Sequence, residues 1–425
     1  MATLEPLRIA RIPSMPSNAR SAPFDRITLP TLLAAPHRAM FFVGASLLAA
    51  GMLWWLWVLL AAWRGWSLPA QPLPVGWTHG VLMQYATLAP FVMGFLLTVF
   101  PRWMNVEVIA RKVYAMVFGL MLGGAVLVLA AALGMPRAMP WGLGAMLLGW
   151  LIAWWNLGDR LRRHGYRDVW ARSACCALAF GAIGLGLVLC ASLGAPPSWI
   201  PAANRIATFG FLLPIYFTVA HRMVPFFTGN VVPDYRVVRP TWSLLAVWLL
   251  SLAHLGLDFF DASGWRWLAD APMTALLLWQ WLAWQPWKAK RPGLLLVLYV
   301  ALAWLPLSFM LYTADSIHGL VTGVNSRALA PLHALTIGFF SSMLVAMVTR
   351  VTHGHSGRPL AMGPIPWIAF VGMQLVALIR VIAEATLQPW HWYIAAASLW
   401  LLAMAPWVAR SLWIYLTPRR DGAPG

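Results

Sequence analysis

Residues 39–63 read AMFFVGASLLAAGMLWWLWVLLAAW, an uncharged run bracketed by Arg38 and Arg64. A helix rises ~1.5 Å per residue and needs roughly 20 apolar residues to cross ~30 Å of hydrocarbon, so this stretch is long enough to span a bilayer. Working outward, similar runs fall over 77–100, 113–133, 139–157, 174–193, 203–222, 241–258, 269–287, 293–314, 327–350, 364–385 and 390–416. Of the 425 residues, 61% are hydrophobic and 10% charged, and the mean hydropathy is +0.72, more apolar surface than a soluble core of this length could bury. The strict alternation of a membrane β-barrel is absent. The sequence predicts an all-α fold, a polytopic membrane helix bundle of about 12 transmembrane helices over 39–416, with an arm over 1–38 and a tail over 417–425.

The net charge of +18 could suggest nucleic acid, but the basic residues collect in alternate loops and form no basic domain. One side takes 23 of the 30, among them Arg38, Arg102, Arg160, Arg222, Lys288, Arg350, Arg358, Arg419 and Arg420; only Arg64, Arg137, Arg205, Arg266 and Arg327 fall opposite. The positive-inside rule then predicts both termini in the cytoplasm, with lipid as the main partner and no nucleic acid. Cys175, Cys176 and Cys190 share the fifth span, which argues against a disulfide or a CxxC metal site. Most of the 28 Trp sit near span ends, as an interfacial belt would place them.

A weak repeat marks spans two, six and ten: Gly94-Phe95-Leu96-Leu97, Gly210-Phe211-Leu212-Leu213 and Gly338-Phe339-Phe340, each followed by an Arg (Arg102, Arg222, Arg350). Recurrence at every fourth helix points to three four-helix units, although Gly-Phe-Leu is also common in membrane helices.

Histidines carry the candidate chemistry, because polar groups at membrane depth are rare without partners and neutral imidazole is a common metal ligand. His164, His318 and His391 lie at helix ends or in a loop and read as solvated. His79 and His333 both fall in the outer third of their spans, where one imidazole on each face of a porphyrin, or plain helix packing, would account for them. Met83 follows His79 by one turn, and Pro90 bends the same helix. At the cytoplasmic ends, His37, His221, His353 and His355 stand beside Arg38, Arg222, Arg350 and Arg358. That group reads equally as a copper site, as guanidinium partners for haem propionates or anionic lipid, or as a polar rim. Arg380 and Glu384, four residues apart in span eleven, should pair with each other.

The run GFLLTVFPRW at 94–103, the stretch His221-Arg222-Met223-Val224-Pro225-Phe226-Phe227-Thr228, and His333-Ala334-Leu335-Thr336-Ile337-Gly338 with Met347, Arg350 and GHSGR at 354–358 together resemble the NnrS family. The resemblance covers most of the chain. It implies a twelve-span bacterial inner-membrane protein containing haem and copper and linked to nitric oxide stress and denitrification. The chain departs from the family where a His-Ala-His-Glu-Met opening becomes His79-Gly80-Val81-Leu82-Met83, losing a His and a Glu, and where His221 replaces a usual Gly.

His79, Gly80, Met83 and Pro90 are also similar to the second helix of haem-copper oxidase subunit I, likewise twelve helices in three groups of four. That similarity implies axial roles for His79 and His333 on a b-type haem, with Met83 and Arg350 near the cofactor. Pro331 and Leu335 flank His333 where the oxidases carry further ligands, so oxidase-type reduction of oxygen or nitric oxide is not implied. The expectation is a bis-His haem b protein serving nitric oxide response or electron transfer, with a copper site drawn from His37, His221, His353 and His355. The alternative is a transporter using Arg380, Glu384 and the Met residues of span ten.

Overall fold

The computed structural model describes residues 28–323, 329–386 and 388–422. Most of the expected arm, with Arg8, Arg11, Arg20 and Arg26, lies outside the described residues, as do Arg327 and residues 423–425. After a one-turn helix at Leu29–Leu32, the chain forms α1 (Pro36–Arg64), α2 (Val75–Met104), α3 (Arg111–Ala132), α4 (Pro136–Arg163), α5 (Val169–Ser192) and α6 (Trp199–Gly229). There follow α7 (Thr241–Phe259), α8 (Trp267–Ala283), α9 (Gly293–Thr322), α10 (Leu329–His355), α11 (Pro364–Ala383) and α12 (Trp390–Leu416).

Eleven of these are long and apolar enough to cross a membrane. The exception is α8, at 17 residues the shortest, which stands where the eighth span was expected and lies at the lower limit of spanning lengths. The ninth helix runs to Thr322 and carries an exposed His318, which the sequence reading had placed in a loop.

Burial separates inner helices from outer ones. In the most apolar window of α2 and of α6, 83% is buried, and 67% in α10 and in its neighbour α9, against 39% in α3, α4, α5 and α12. Around α2, α6 and α10 the others form a ring. The last two helices of each group pair with each other (α3 with α4, α7 with α8, α11 with α12), and adjacent groups meet through α4 on α5, α8 on α9 and α12 on α1.

Each inner helix contains one wide π-helical segment, at Leu82–Leu88, Ile206–Leu212 and Ala334–Ser341. The first two are followed by Pro90 and Pro214, whose rings lack an N–H and crowd the carbonyl four residues back, which opens the turn. The third has no proline. There the hydroxyls of Ser341 and Ser342 donate to the carbonyls five residues back, Thr336 at 3.0 Å and Ile337 at 3.4 Å.

The three segments fix a register. Leu82 matches Ile206 and Ala334, so equivalent residues stand 124 and then 128 positions apart. Below the wide turns lies a small apolar cavity of about 60 Å³, and the same two steps relate its lining: Phe91 with Ile215 and Met343, and Phe95 with Val219 and Met347. Gly210 and Gly338 obey this register, whereas Gly94 lies eight residues past the equivalent position, which Ala86 occupies. The Gly-Phe pattern thus named the right helices but misaligned the first.

Two glycines show why the register matters for packing. A Cβ on Gly210 would sit 2.8 Å from the Phe180 ring of α5, and one on Gly338 would sit 2.5 Å from the Trp304 ring of α9. Trp304 cannot swing aside freely, because its Nε1 donates to Gln374 at 2.7 Å. Gly338→Ala is expected to destabilise the bundle by about 1–3 kcal/mol through overpacking, seen as a lower unfolding temperature in detergent; an unchanged midpoint would refute the close fit.

Candidate functional site

At the end of the bundle opposite the chain termini, His79 sits in the second turn of α2. Its ring stacks on Trp55 of α1 at 4.2 Å between centroids and 16° between planes. Its Nδ1 is buried and meets no hydrogen-bonding partner among the described residues. One turn on, Met83 packs toward α1, where its Cε lies 2.8 Å from the Cβ position of Gly51.

His333 closes the first turns of α10, and its Nδ1 lies 2.7 Å from the carbonyl of Leu329. A carbonyl only accepts, so Nδ1 carries the hydrogen and Nε2 keeps the lone pair. The 3.4 Å approach of Arg380 Nη2 to that same nitrogen is therefore a charge beside the ring and not a second hydrogen bond.

Arg380 stands beside His333, with Nη2 3.4 Å from its ring. As the four-residue spacing implied, Arg380 Nη2 donates to Glu384 at 3.2 Å. Tyr393 donates to the same carboxylate oxygen at 2.9 Å, and the guanidinium lies over the Tyr393 ring at 3.9 Å. Its Nη1 is buried with no partner among the described residues. The outer site thus contains two imidazoles from helices far apart in sequence and a cation with an open donor.

The four histidines at the other end divide among three settings. His37 and His355 meet, with ring centroids 4.5 Å apart. His353 donates from Nδ1 to the Pro359 carbonyl at 2.9 Å, and its Nε2 accepts from Arg410 at 2.9 Å, so no lone pair remains. His221 accepts from Trp170 Nε1 at 3.0 Å and turns Nε2 toward the Pro240 carbonyl at 3.2 Å, again using both nitrogens. Arg350 stacks on Phe227 at 3.8 Å. No group of three or more His, Cys, Asp or Glu side chains is placed to share a metal ion among the described residues.

A further polar cluster stands apart from the residues that the sequence pointed to. His254 on α7 is fully buried, with Nδ1 2.7 Å from Asp270 of α8 and Nε2 3.7 Å from Asp258 one turn on. Arg266 joins Asp258 at 3.3 Å to Asp315 of α9 at 2.9 Å, and Arg205 of α6 lies 3.7 Å from Asp258. Phe209 and Tyr312 cover the imidazole, with ring centroids at 3.9 and 4.9 Å. Three of the chain's twelve acidic residues therefore meet here. The available signal was His254 and Asp258 at helical spacing, close to an Arg and an Asp across a short turn.

The sequence model of one family, described as NnrS protein, matches residues 31–419. No individually curated protein matches the chain.

Proposed function

The chain belongs to the NnrS family, and from that premise we propose a multi-pass haem protein of the bacterial inner membrane in which His79 and His333 hold a b-type haem between the outer thirds of α2 and α10. Its role is single-electron transfer linked to nitric oxide response or denitrification. The cytoplasmic placement of both termini is part of the same proposal and rests on the distribution of basic residues.

The observation that supports this reading is an imidazole of α10 with an arginine 3.4 Å away that keeps an open donor, and a second buried imidazole, His79, at the same end of the bundle. The donor set suits the group. His333 presents Nε2 because the Leu329 carbonyl holds its Nδ1–H, the arrangement by which proteins orient axial histidines. Arg380 has an N–H available for a propionate carboxylate, and Glu384 with Tyr393 holds the guanidinium in place. Trp55 fixes the rotation of His79 and keeps water from that face of its ring.

A haem bound by two imidazoles exchanges single electrons and retains no open coordination position. The residues around it therefore serve to orient, to supply charge and to exclude water.

The copper expectation finds weaker support in the donor set. His221 and His353 have committed both nitrogens, which leaves His37 and His355 alone among nearby arginines that disfavour a cation. No step is assigned to copper.

The test is a haemochrome assay and a reduced-minus-oxidised spectrum of the full-length protein purified from denitrifying cells. A six-coordinate low-spin b-type spectrum near one haem per chain is expected. Protein that is folded and free of haem would end the proposal.

A further inference from the structure

The face that carries both chain termini contains a clasp of basic groups that the haem reading does not use. Arg38, at the start of α1 and only 3% exposed, donates from Nη2 to the carbonyls of Ile414 at 3.1 Å and Tyr415 at 2.9 Å, and also to that of Thr417, so it caps α12. The turn after α10 closes against the same tail: Arg420 donates its backbone N–H to the Ser356 carbonyl at 3.2 Å. Gly357, at φ +66°, lies so close under the Asp421 carboxylate that a Cβ there would approach it to 2.7 Å. Arg410 of α12 reaches His353 of α10 at 2.9 Å. Three segments remote in sequence are thus drawn into one wall.

Charge in this wall is one-sided. Arg38, Arg358, Arg410 and Arg420 act on one another, and from Met347 to the chain end the acidic residues are Glu384, at the far end of the bundle, and Asp421, which binds Arg419 through both oxygens at 2.9 and 2.6 Å. Two donors stand open: Arg38 Nε and Arg358 Nη1 are buried with no partner among the described residues. Burial and the guanidiniums of Arg420, Arg410 and Arg38 push Arg358 down to about 10 from its ordinary value. Arg38 is buried against backbone carbonyls alone and Arg358 is half-buried, so an anion that reached their open donors would offset charge that the carbonyls meet only in part.

We propose that the clasp formed by Arg38, Arg358 and Arg410 binds a phosphate-bearing anion, whose oxygens take the open donors of Arg38 and Arg358. Phosphate is the class favoured because several arginines are drawn into one wall by these contacts and a dianion with three or more acceptor oxygens offsets more than one of them. The site stands apart from His79 and His333 and holds whether or not the haem assignment does. Its ligand comes from a lipid headgroup or from a soluble phosphate compound.

Full-length protein, stripped of lipid by detergent exchange, would be titrated with inorganic phosphate against sodium chloride of equal ionic strength. In parallel it would be reconstituted into phosphatidylcholine vesicles with and without phosphatidylglycerol. Unfolding temperature and bound phosphorus are the readouts. A rise with inorganic phosphate identifies a soluble ligand class, and a rise confined to phosphatidylglycerol vesicles identifies a headgroup; either supports the site.

In Arg358→Gln the apparent affinity should fall about tenfold or more, since a charge-assisted bond is lost. Arg358→Lys keeps the charge without the fork and should fall less, which covers the case of a misfolded Gln variant. Arg163→Gln, at an exposed arginine of another loop on the same face, serves as the control and should bind as the parent does. Equal behaviour in phosphate and chloride together with equal behaviour in both vesicles, or binding undiminished in Arg358→Gln and Arg358→Lys, overturns the proposal.

Discussion

In His79→Ala and in His333→Ala, haem retained through purification is expected to fall by at least about 10–100-fold, the loss already seen when only the outer partner of a metal-bound histidine is removed. The two variants should behave alike, because each removes one face of the same coordination. His391→Ala is the comparison: that residue lies in the first turn of α12 at the same end and touches Trp63 edge-on at 5.7 Å, and its haem content should equal that of the parent. Haem per chain measured by haemochrome, with elution volume as a check on folding, decides the matter. Parent-level haem in either His79→Ala or His333→Ala would remove the axial assignment.

Arg266→Met is expected to cost about 3–5 kcal/mol of stability, the range for removing one partner of a buried ion network. Arg266 is 5% exposed and serves two carboxylates, Asp258 at 3.3 Å and Asp315 at 2.9 Å, so its loss leaves a concentration of negative charge beside His254. Loss of Arg205 should be milder, because its side chain is 44% exposed and its nearest approach to Asp258 is 3.7 Å. The double variant Arg266→Met with Asp258→Leu should recover part of the loss, since the stranded charge goes with it. Unfolding midpoints in one detergent give the comparison, and an Arg266→Met midpoint within a degree of the parent would show that the network is not stabilising.

Much of the fold was legible because a bilayer imposes a length and a composition on each crossing, and eleven helices meet both. The short α8 fell at the edge of that rule, carrying Asp270 into its first turn. What the sequence hid was interior geometry. Pro90 and Pro214 announce their wide turns, but Ser341 and Ser342 reach the same result through hydroxyls, and no residue pattern links the two chemistries.

The candidate site shows the same division. Depth suggested His79 with His333, and the helix period put Arg380 on Glu384, where the ion pair is found at 3.2 Å. Depth also grouped His221 and His353 with His37 and His355, and there it misled, because Trp170 and Arg410 lie 51 and 57 residues from the histidines they occupy. Equal depth says nothing about which neighbour a ring turns toward. His254 drew no attention in the sequence, yet its partner Asp270 is only 16 residues away across a turn.

The shared register of α2, α6 and α10 carries a consequence for descent. A chain whose inner helices keep their wide turns in step is what fusion of three copies of one four-helix ancestor would leave behind. In that register the place of His79 is taken by Ala203 and Pro331, and the place of His333 by Val81 and Arg205. The two histidines are therefore not siblings. A threefold-symmetric scaffold thus carries a site with no threefold symmetry, and the pair is defined by where the three units differ rather than by what they share.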